Sequence, residues 1–336
     1  MSLRFGINGL GRIGRALLRL SRDHPPDHPD IELAVVNDVV PAPMLARLLA
    51  RDTVHGPFPG AVSGEPGALV VDGRRIPVLA EPDPARIPWA SFGVEVVVEA
   101  TGRFASRELA APHLGGTVER VIVSANAPQV EATFCMGVND STYDPRAHAV
   151  ISNASCTTNC LALTLKVLHD AFTVRGALMN TIHPYTDNQR LLDGPHPETR
   201  RSRAAALNMI PIPTTAARAV GLVIPELDGR IEGLAVRVPT AAVAMLDVVA
   251  ELARPAGAPA IRDAYRAAAG PLAAVLAVTE EELVSSDFVG DPHSAIVDLP
   301  LVQALPGGLA RVVAWYDNEW GYASRLKDLL ALLARR

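Results

Sequence analysis

The stretch "LRFGINGLGRIG", Leu3 to Gly14, decides the architecture. Its first half is an apolar run typical of a buried strand. Its second half opens a helix that is expected to carry Ile13, Leu17 and Leu20 on one face. Between them Gly9, Gly11 and Gly14 stand in the spacing Gly-x-Gly-x-x-Gly. Such glycines permit a tight strand-to-helix turn, close approach of a pyrophosphate to the backbone, and tight packing of helix on strand. The helix N-terminus then faces the phosphates with its partial positive charge. A glycine turn also occurs without a ligand, so its position between strand and helix carries the weight. Asp38 adds to it. It ends a second strand-like run, "IELAVVND" (31–38), near the distance of roughly 20 residues at which an acid meets the adenosine ribose. An acid there accepts from the 2′-hydroxyl and repels a 2′-phosphate, which favours NAD over NADP.

Working outward, the first half of the chain alternates strand and helix. "APMLARLLAR" (42–51) reads as a helix, and "VEVVVEATG" (94–102) and "ERVIVSA" (119–125) read as buried strands. "ALVVDGRRIPVL" (68–79) carries Asp72-Gly73 between two β-like runs, a hairpin signal. "DHPPDHPD" (23–30) is expected to be a proline-rich solvated loop and not a metal site. The pattern predicts a Rossmann-type, doubly wound parallel sheet of the α/β class. After residue 155 the texture changes to a helix, "CLALTLKVLHDAF" (160–172), and long strands at 176–183, 231–239, 242–252 and 310–316. These predict an α+β domain with a mainly antiparallel sheet. We expect residues 1–155 to form the dinucleotide-binding domain and 156–318 the second domain. A terminal helix, 319–336, with Leu326, Leu329, Leu330 and Leu333 on one stripe, should pack back on the first.

Composition narrows the function. A net charge of −5 lacks the basic excess of a nucleic-acid binder, and no apolar run is long enough for a membrane span. Three cysteines in 336 residues do not make a disulfide framework, so a reducing cytoplasm is expected.

One cysteine is out of keeping with a structural role. In "SNASCTTNC" (152–160), Cys156 stands among hydroxyls and amides where a strand gives way to a helix. A thiol at a helix N-terminus is stabilised as the thiolate by the unpaired amides and the helix dipole. We therefore expect Cys156 to ionise easily and to act as a nucleophile. Cys160, one turn further on, and Cys135 read as inert. A thiolate nucleophile usually works with a histidine. Of nine histidines, His183 ends a strand, "GALMNTIH" (176–183), whereas most others lie in loop-like sequence.

Further motifs make a family resemblance specific. "NGLGRIGR", "SNASCTTNC", "TIHPYTDNQ", "RRSRAAA", "RVPT" and "WYDNEWGY" appear in the order, and nearly the spacing, of phosphorylating glyceraldehyde-3-phosphate dehydrogenases, across essentially the whole chain. The resemblance implies oxidation of glyceraldehyde 3-phosphate to 1,3-bisphosphoglycerate with NAD, through a cysteine thiohemiacetal and thioester. Cys156 and His183 would be catalytic. Thr186 and Arg237 resemble the pocket for the substrate's own phosphate. Ser155, Thr157, Thr214 and Arg201 resemble the pocket for the attacking inorganic phosphate. Asn318 and Tyr322 resemble the residues that hold the nicotinamide, and Thr101 and Ser124 those lining the cofactor cleft. Arg12 and Ile13 would contact the dinucleotide through the glycine turn. The resemblance also implies a cytoplasmic homotetramer, with the loop around 186–205 near a neighbour's cofactor site, and no metal.

Three features depart from the pattern. Thr215 stands where the family commonly has glycine, beside a backbone phosphate contact. Pro184 directly follows His183 and stiffens the chain there. "FASRE" (104–108) and "DPHSAIVD" (291–298) look more like erythrose-4-phosphate dehydrogenase, the close relative, whereas "TVHGPFPG" (53–60) and Pro195 look more like the triose enzymes. Oxidation of erythrose 4-phosphate to 4-phosphoerythronate is therefore the alternative activity. A nucleotide-binding or redox-sensing protein without turnover is a third reading, against which the intact Cys156, His183, Arg237 and Asn318 argue.

Overall fold

The computed structural model describes residues 2–22 and 31–335; the expected loop at 23–30 lies outside the described residues. In chain order the first elements are β1 (Leu3–Asn8), α1 (Arg12–Leu20), β2 (Ile31–Asn37), α2 (Ala42–Ala50), β3 (Arg51–Asp52) and β4 (Gly56–Pro57). β5 (Val62–Glu65), β6 (Ala68–Val71), β7 (Arg74–Leu79), β8 (Val96–Glu99), α3 (Arg107–Ala110), β9 (Arg120–Val123), β10 (Ala132–Thr133) and β11 (Val150–Ser152) follow. Next come α4 (Cys156–Phe172), β12 (Val174–Pro184), β13 (Ile210–Pro213), α5 (Ala216–Ala219), β14 (Ile231–Val238) and β15 (Ala244–Leu252). The chain ends with α6 (Ala258–Ala269), β16 (Leu276–Thr279), β17 (Ala295–Asp298), β18 (Gln303–Leu305), β19 (Leu309–Tyr316) and α7 (Trp320–Ala334). Two compact units divide it: Met1–Met136 with Asp140–Ala154 and Ala323–Arg336, and Gly137–Asn139 with Ser155–Tyr322.

In the first unit nine strands among the described residues run in the order β10-β11-β9-β8-β1-β2-β7-β6-β5. β1 is parallel to β2 on one side and to β8 on the other, so the strand order reverses there. In doubly wound sheets the crevice outside the carboxyl ends of such strands is where ligands bind. Phe5, Ile7, Val35, Val36, Val97 and Ile122 are fully buried, which is why these strands read as continuous apolar runs. Asp72 and Gly73 both take positive φ, +48° and +80°, as a two-residue turn between antiparallel β6 and β7 requires.

The face of α1 differs from the expected one. Leu17 is buried, but Ile13 and Leu20 are only partly so, and Gly14, Ala16, Leu18 and Arg19 complete the buried face. Two contacts set the rotation of the helix. A Cβ on Gly14 would lie 2.2 Å from the Gly9 carbonyl oxygen, so this side sits against the glycine turn. Arg19 stays buried because its Nη2 donates to the carbonyls of Leu49 at 2.8 Å and Gly56 at 3.0 Å.

The second unit is built on eight strands among the described residues, ordered β13-β14-β12-β15-β19-β17-β16 with β18 against β19. Most pairings are antiparallel; β12 with β14 and β16 with β17 are parallel. The parallel register sets His183 beside Arg237. α4 packs on this sheet against β12, β15, β17 and β19. It is buried on nearly every side from Thr157 to Leu168, as its all-round apolar sequence requires. Along α7, Leu326, Leu329 and Leu330 are fully buried.

Candidate active site

α4 begins at Cys156, and Ser155 caps it, its Oγ accepting from the Thr158 amide at 3.1 Å. The turn into the helix is made by Ala154 at φ +55°, a left-handed conformation unusual for a residue with a side chain. Cys156 Sγ lies 3.6 Å from His183 Nε2. The far ring nitrogen, Nδ1, lies 2.9 Å from the Pro184 carbonyl and 2.6 Å from Arg237 Nη1. These two contacts favour opposite tautomers. The carbonyl wants a proton on Nδ1, leaving Nε2 as an acceptor, whereas arginine can only donate and wants Nδ1 bare. Nε2 is the nitrogen that faces sulfur. Tyr316 supports the pair from beneath. Its hydroxyl bonds to Thr157 Oγ1 and Thr181 Oγ1, both at 2.8 Å, and its ring meets the His183 ring edge-on at 6.2 Å.

The expectation of an easily ionised thiol is corrected. Burial pushes the Cys156 thiol above its ordinary value, against the opposing pull of the Arg237 charge and hydrogen bonding from Thr157. Cys156 is partly exposed, but Thr157, Thr158 and Asn159 are buried, with Thr158 bonded to Ser155 and Thr157 to Tyr316. Burial, followed by the Arg237 charge, holds His183 down at about 3, so the imidazole is neutral at neutral pH. A neutral base beside a neutral thiol can exchange one proton when a reaction calls for it. Cys160 and Cys135 are fully buried and pushed up by that burial, as inert thiols are.

The expected anion residues fall into separate hydrogen-bonded groups. Arg237 Nη1 also donates to the Pro184 carbonyl at 2.8 Å, and its buried Nε has no partner among the described residues. Arg201 is buried and donates from Nε to Glu198 at 2.9 Å and from Nη1 to Asn188 at 3.0 Å. Thr186 is exposed and donates from its hydroxyl to Asn188 Oδ1 at 2.8 Å. Thr214 Oγ1 accepts from the Ala216 amide at 3.1 Å just before α5, and the Thr157 hydroxyl is engaged with Tyr316. Thr215 sits at φ −87°, ψ −6°, a conformation any residue adopts, so its replacement of glycine costs no backbone strain. Among the described residues no group of three His, Cys, Asp or Glu could hold a metal ion. No helix among them is long and apolar enough to cross a membrane.

The cofactor candidates of the first unit gather at the carboxyl ends of β1, β2, β8 and β9. Gly9, at φ +95°, has no room for a Cβ, which would meet the Thr101 backbone at 2.8 Å. Gly11 differs: a Cβ there would meet nothing within 4 Å, so this side of the turn stands open. That open cradle at the N-terminus of α1 fits a dinucleotide pyrophosphate. Asp38 Oδ2 accepts from the Leu10 amide at 2.7 Å and Oδ1 from the Val40 amide at 2.9 Å, which turns the carboxylate toward the glycine loop. Ser124 is fixed by its amide on the Glu99 carbonyl at 2.9 Å. The Arg12 side chain forms an ion pair with Asp52, and Ile13 beside it is partly buried. In the second unit Asn318 Oδ1 accepts at 3.0 Å from the amide of Val243, a β-branched residue held at φ +66°. This bond fixes the amide and leaves Nδ2 as its donor. Tyr322 lines a shallow recess with Cys156, Asn159, Tyr316 and Asp317.

Residues 155–318 match the model of the glyceraldehyde 3-phosphate dehydrogenase C-terminal domain, and residues 3–107 match that of its NAD binding domain. The chain belongs to the glyceraldehyde-3-phosphate dehydrogenase family. It is 49% identical to a glyceraldehyde-3-phosphate dehydrogenase of Kitasatospora aureofaciens, with 99% of each chain covered. It is 48% identical to one of Geobacillus stearothermophilus, covering 100% of this chain and 99% of that one. The glyceraldehyde-3-phosphate dehydrogenase 1 of Bacillus cereus is 47% identical, again with 99% of each covered. Membership makes the chain an oxidoreductase of two-domain α/β architecture that uses NAD.

Four residues of the site escaped the sequence. Tyr316 could have been suspected as an aromatic with a polar tip at the end of a buried strand. Glu99 closes the apolar run "VVVE"; its Oε1 accepts from the Thr101 amide at 2.8 Å and hydroxyl at 2.5 Å, and its Oε2 from Asn8 at 2.5 Å. An acid at the end of so apolar a strand was the available signal. Val243 and Asp52 had none.

Proposed function

We propose that this chain oxidises glyceraldehyde 3-phosphate to 1,3-bisphosphoglycerate with NAD and inorganic phosphate, with Cys156 as nucleophile and His183 as base. The observation that carries the reading is the 3.6 Å contact between Cys156 Sγ and His183 Nε2 at the N-terminus of α4. Sulfur attacks the aldehyde carbon; a C–S bond forms, the carbonyl electron pair moves to oxygen, and the thiol proton completes the thiohemiacetal hydroxyl. Nε2 then takes that hydroxyl proton as the carbonyl re-forms and the C–H bond breaks. NAD, when bound, accepts the hydride that leaves. The thioester left on Cys156 keeps the acyl group reactive. A phosphate oxygen attacks it, the C–S bond breaks toward sulfur, and the acyl phosphate departs.

In this reading Thr186 and Arg237 hold the substrate's phosphate, and Ser155, Thr157, Thr214 and Arg201 receive the attacking phosphate. Arginine suits both pockets because its guanidinium fork matches two phosphate oxygens. Gly9, Gly11, Arg12, Ile13, Gly14, Asp38, Thr101 and Ser124 bind the dinucleotide in residues 1–155, with the terminal helix 319–336 completing that domain. Asn318 and Tyr322 take the nicotinamide at the edge of residues 156–318, which carry the chemistry. Erythrose 4-phosphate is not favoured, since the relatives named above are triose-phosphate enzymes along their whole length. We also read the chain as a cytoplasmic homotetramer. Supporting this, Leu191, Leu192, Leu207 and Met209 are between 72% and 80% exposed, an apolar surface suited to another subunit. The deciding experiment is NADH formation from glyceraldehyde 3-phosphate with and without phosphate or arsenate. Turnover that ignores phosphate and prefers erythrose 4-phosphate would remove the reading.

A further inference from the structure

The last residues of three adjacent strands in the first unit form one buried polar chain. Asn8, Asn37 and Glu99 end β1, β2 and β8, and the parallel register sets Asn8 level with both of the others. All three are buried, as are Trp89 and His113 beside them. The chain has a direction, fixed at both ends. At one end the Glu81 amide donates to Asn37 Oδ1 at 3.0 Å and the Glu81 carbonyl accepts from Asn37 Nδ2 at 2.9 Å. The Asn37 amide therefore cannot flip. Its Nδ2 donates to Asn8 Oδ1 at 2.7 Å, which leaves Asn8 Nδ2 to donate to Glu99 Oε2 at 2.5 Å. At the other end the Trp89 indole, which can only donate, reaches His113 Nδ1 at 3.1 Å. The His113 proton is thus on Nε2, which donates to the same Glu99 oxygen at 3.1 Å.

Donors converge on Glu99 from both sides. The Thr101 amide and hydroxyl take its other oxygen, at 2.8 and 2.5 Å. Four donors on two oxygens demand a side chain that only accepts; a glutamine would turn an N–H toward two of them. What the carboxylate holds is Thr101. The Thr101 hydroxyl also accepts the Arg103 amide at 3.0 Å, so the residue is fixed against Gly9. The fit is close: a Cβ on Gly9 would meet Thr101 Cγ2, N and Cα at 2.8–2.9 Å. The spacing between the glycine turn and the tip of β8 is therefore set from behind, by buried groups.

On the reading above that the glycine turn and Thr101 line the cofactor cleft, we propose that Glu99 and His113 are positioning residues for NAD. The carboxylate anchors Thr101 against the glycine turn before the dinucleotide arrives, and the histidine orients the carboxylate. A cleft ordered beforehand loses no affinity to ordering on binding. Three variants of the full-length protein test this, through the calorimetric Kd for NAD, iodoacetamide alkylation of Cys156 in the cofactor-free protein, and the thermal midpoint. Glu99→Gln should raise Kd about tenfold, equal to about 1.4 kcal/mol, because the released Thr101 must be ordered again on binding. His113→Leu, which removes donor and acceptor together, should weaken NAD by a similar factor. His113→Gln has an amide that can accept from Trp89 and donate to Glu99, and should keep Kd within about threefold. Cys156 should be alkylated at the unaltered rate in all three, since the sulfur lies in the second unit. A merely structural role would lower the midpoint with Kd unchanged, or would alter alkylation in step with Kd. A wild-type Kd in Glu99→Gln overturns the inference. Where that variant does not fold, a wild-type Kd in His113→Leu overturns it, as does His113→Gln binding no better than His113→Leu. If the unaltered protein binds no NAD, the functional reading itself has failed; binding intact in the unaltered protein and in every variant fails this inference alone.

Discussion

Replacing Arg237 by glutamine should make Cys156 harder to ionise. Arg237 Nη1 touches His183 Nδ1 at 2.6 Å, and the opposite ring nitrogen lies 3.6 Å from the sulfur. Along that path the guanidinium is on the order of 8 Å from the sulfur, and at an effective dielectric of about 20 the attraction is about 2 kcal/mol, or about 1.5 pKa units. Burial already raises the thiol, and Arg237 is the largest influence that lowers it. Its removal should therefore move the alkylation midpoint upward by about one unit and slow alkylation at pH 7 by roughly ten- to thirty-fold. The assay is the pseudo-first-order rate of iodoacetamide reaction at Cys156, followed across pH, with peptide mapping to exclude Cys135 and Cys160. Glutamine keeps the length and a donor, so loss of hydrogen bonding alone is a small part of the effect. A profile for Arg237→Gln that superimposes on the unaltered protein would refute the reasoning. It would mean that water screens the guanidinium from the sulfur despite its burial.

His183→Asn should lower kcat by about 10²–10⁴ without raising KM for NAD, because the hydroxyl proton loses its acceptor; steady-state kinetics checks it. Tyr316→Phe leaves the buried Thr157 and Thr181 hydroxyls without their shared partner, and urea unfolding should show a loss of about 1–3 kcal/mol. For Asp52, burial is outweighed by the hydrogen bond from Arg12 and the amides of His55 and Val54, which hold the carboxyl at about 2 against an ordinary 3.8. A carboxyl depressed on folding stabilises above its unfolded value and loses that effect as pH falls through the folded one. Asp52→Asn should thus cost about 1–2 kcal/mol above about pH 5, and the difference from the unaltered protein should vanish towards pH 2.

The parts of the fold visible in the sequence were those governed by local rules. Gly9 and Gly14 announced the strand, turn and helix because only glycine meets the steric demands at those two positions. Asp72-Gly73 announced a hairpin because aspartate and glycine both tolerate the positive φ such a turn needs. The buried strands of the first unit read correctly because parallel strands covered on both faces are apolar throughout. The α1 face was misread because its rotation is set by Gly14 against Gly9 and by carbonyl acceptors 30 and 37 residues away from Arg19. Periodicity cannot register partners at that distance. The parallel pairing of β12 with β14, which sets Arg237 beside His183, is likewise a property of topology.

The misjudged thiol and the residues missed around it share one cause. Flanking hydroxyls suggested a polar setting for Cys156, yet Thr157 turns its hydroxyl to Tyr316, 159 residues further along the chain. Local composition reports which polar groups are nearby, not which are already engaged. The strained residues carry the point further. Ala154 and Val243 occupy the left-handed region, which costs each of them roughly 1–2 kcal/mol, and nothing in their identity asks for it. One turns the chain into the helix that begins at Cys156; the other supplies the amide that orients Asn318. A conformation that the residue itself disfavours persists only where tertiary structure imposes it. Local preference therefore fails at Ala154 and Val243, as it does at Gln129 and Thr173 away from the site, so a left-handed residue marks where tertiary structure overrides identity, and sequence alone does not place it.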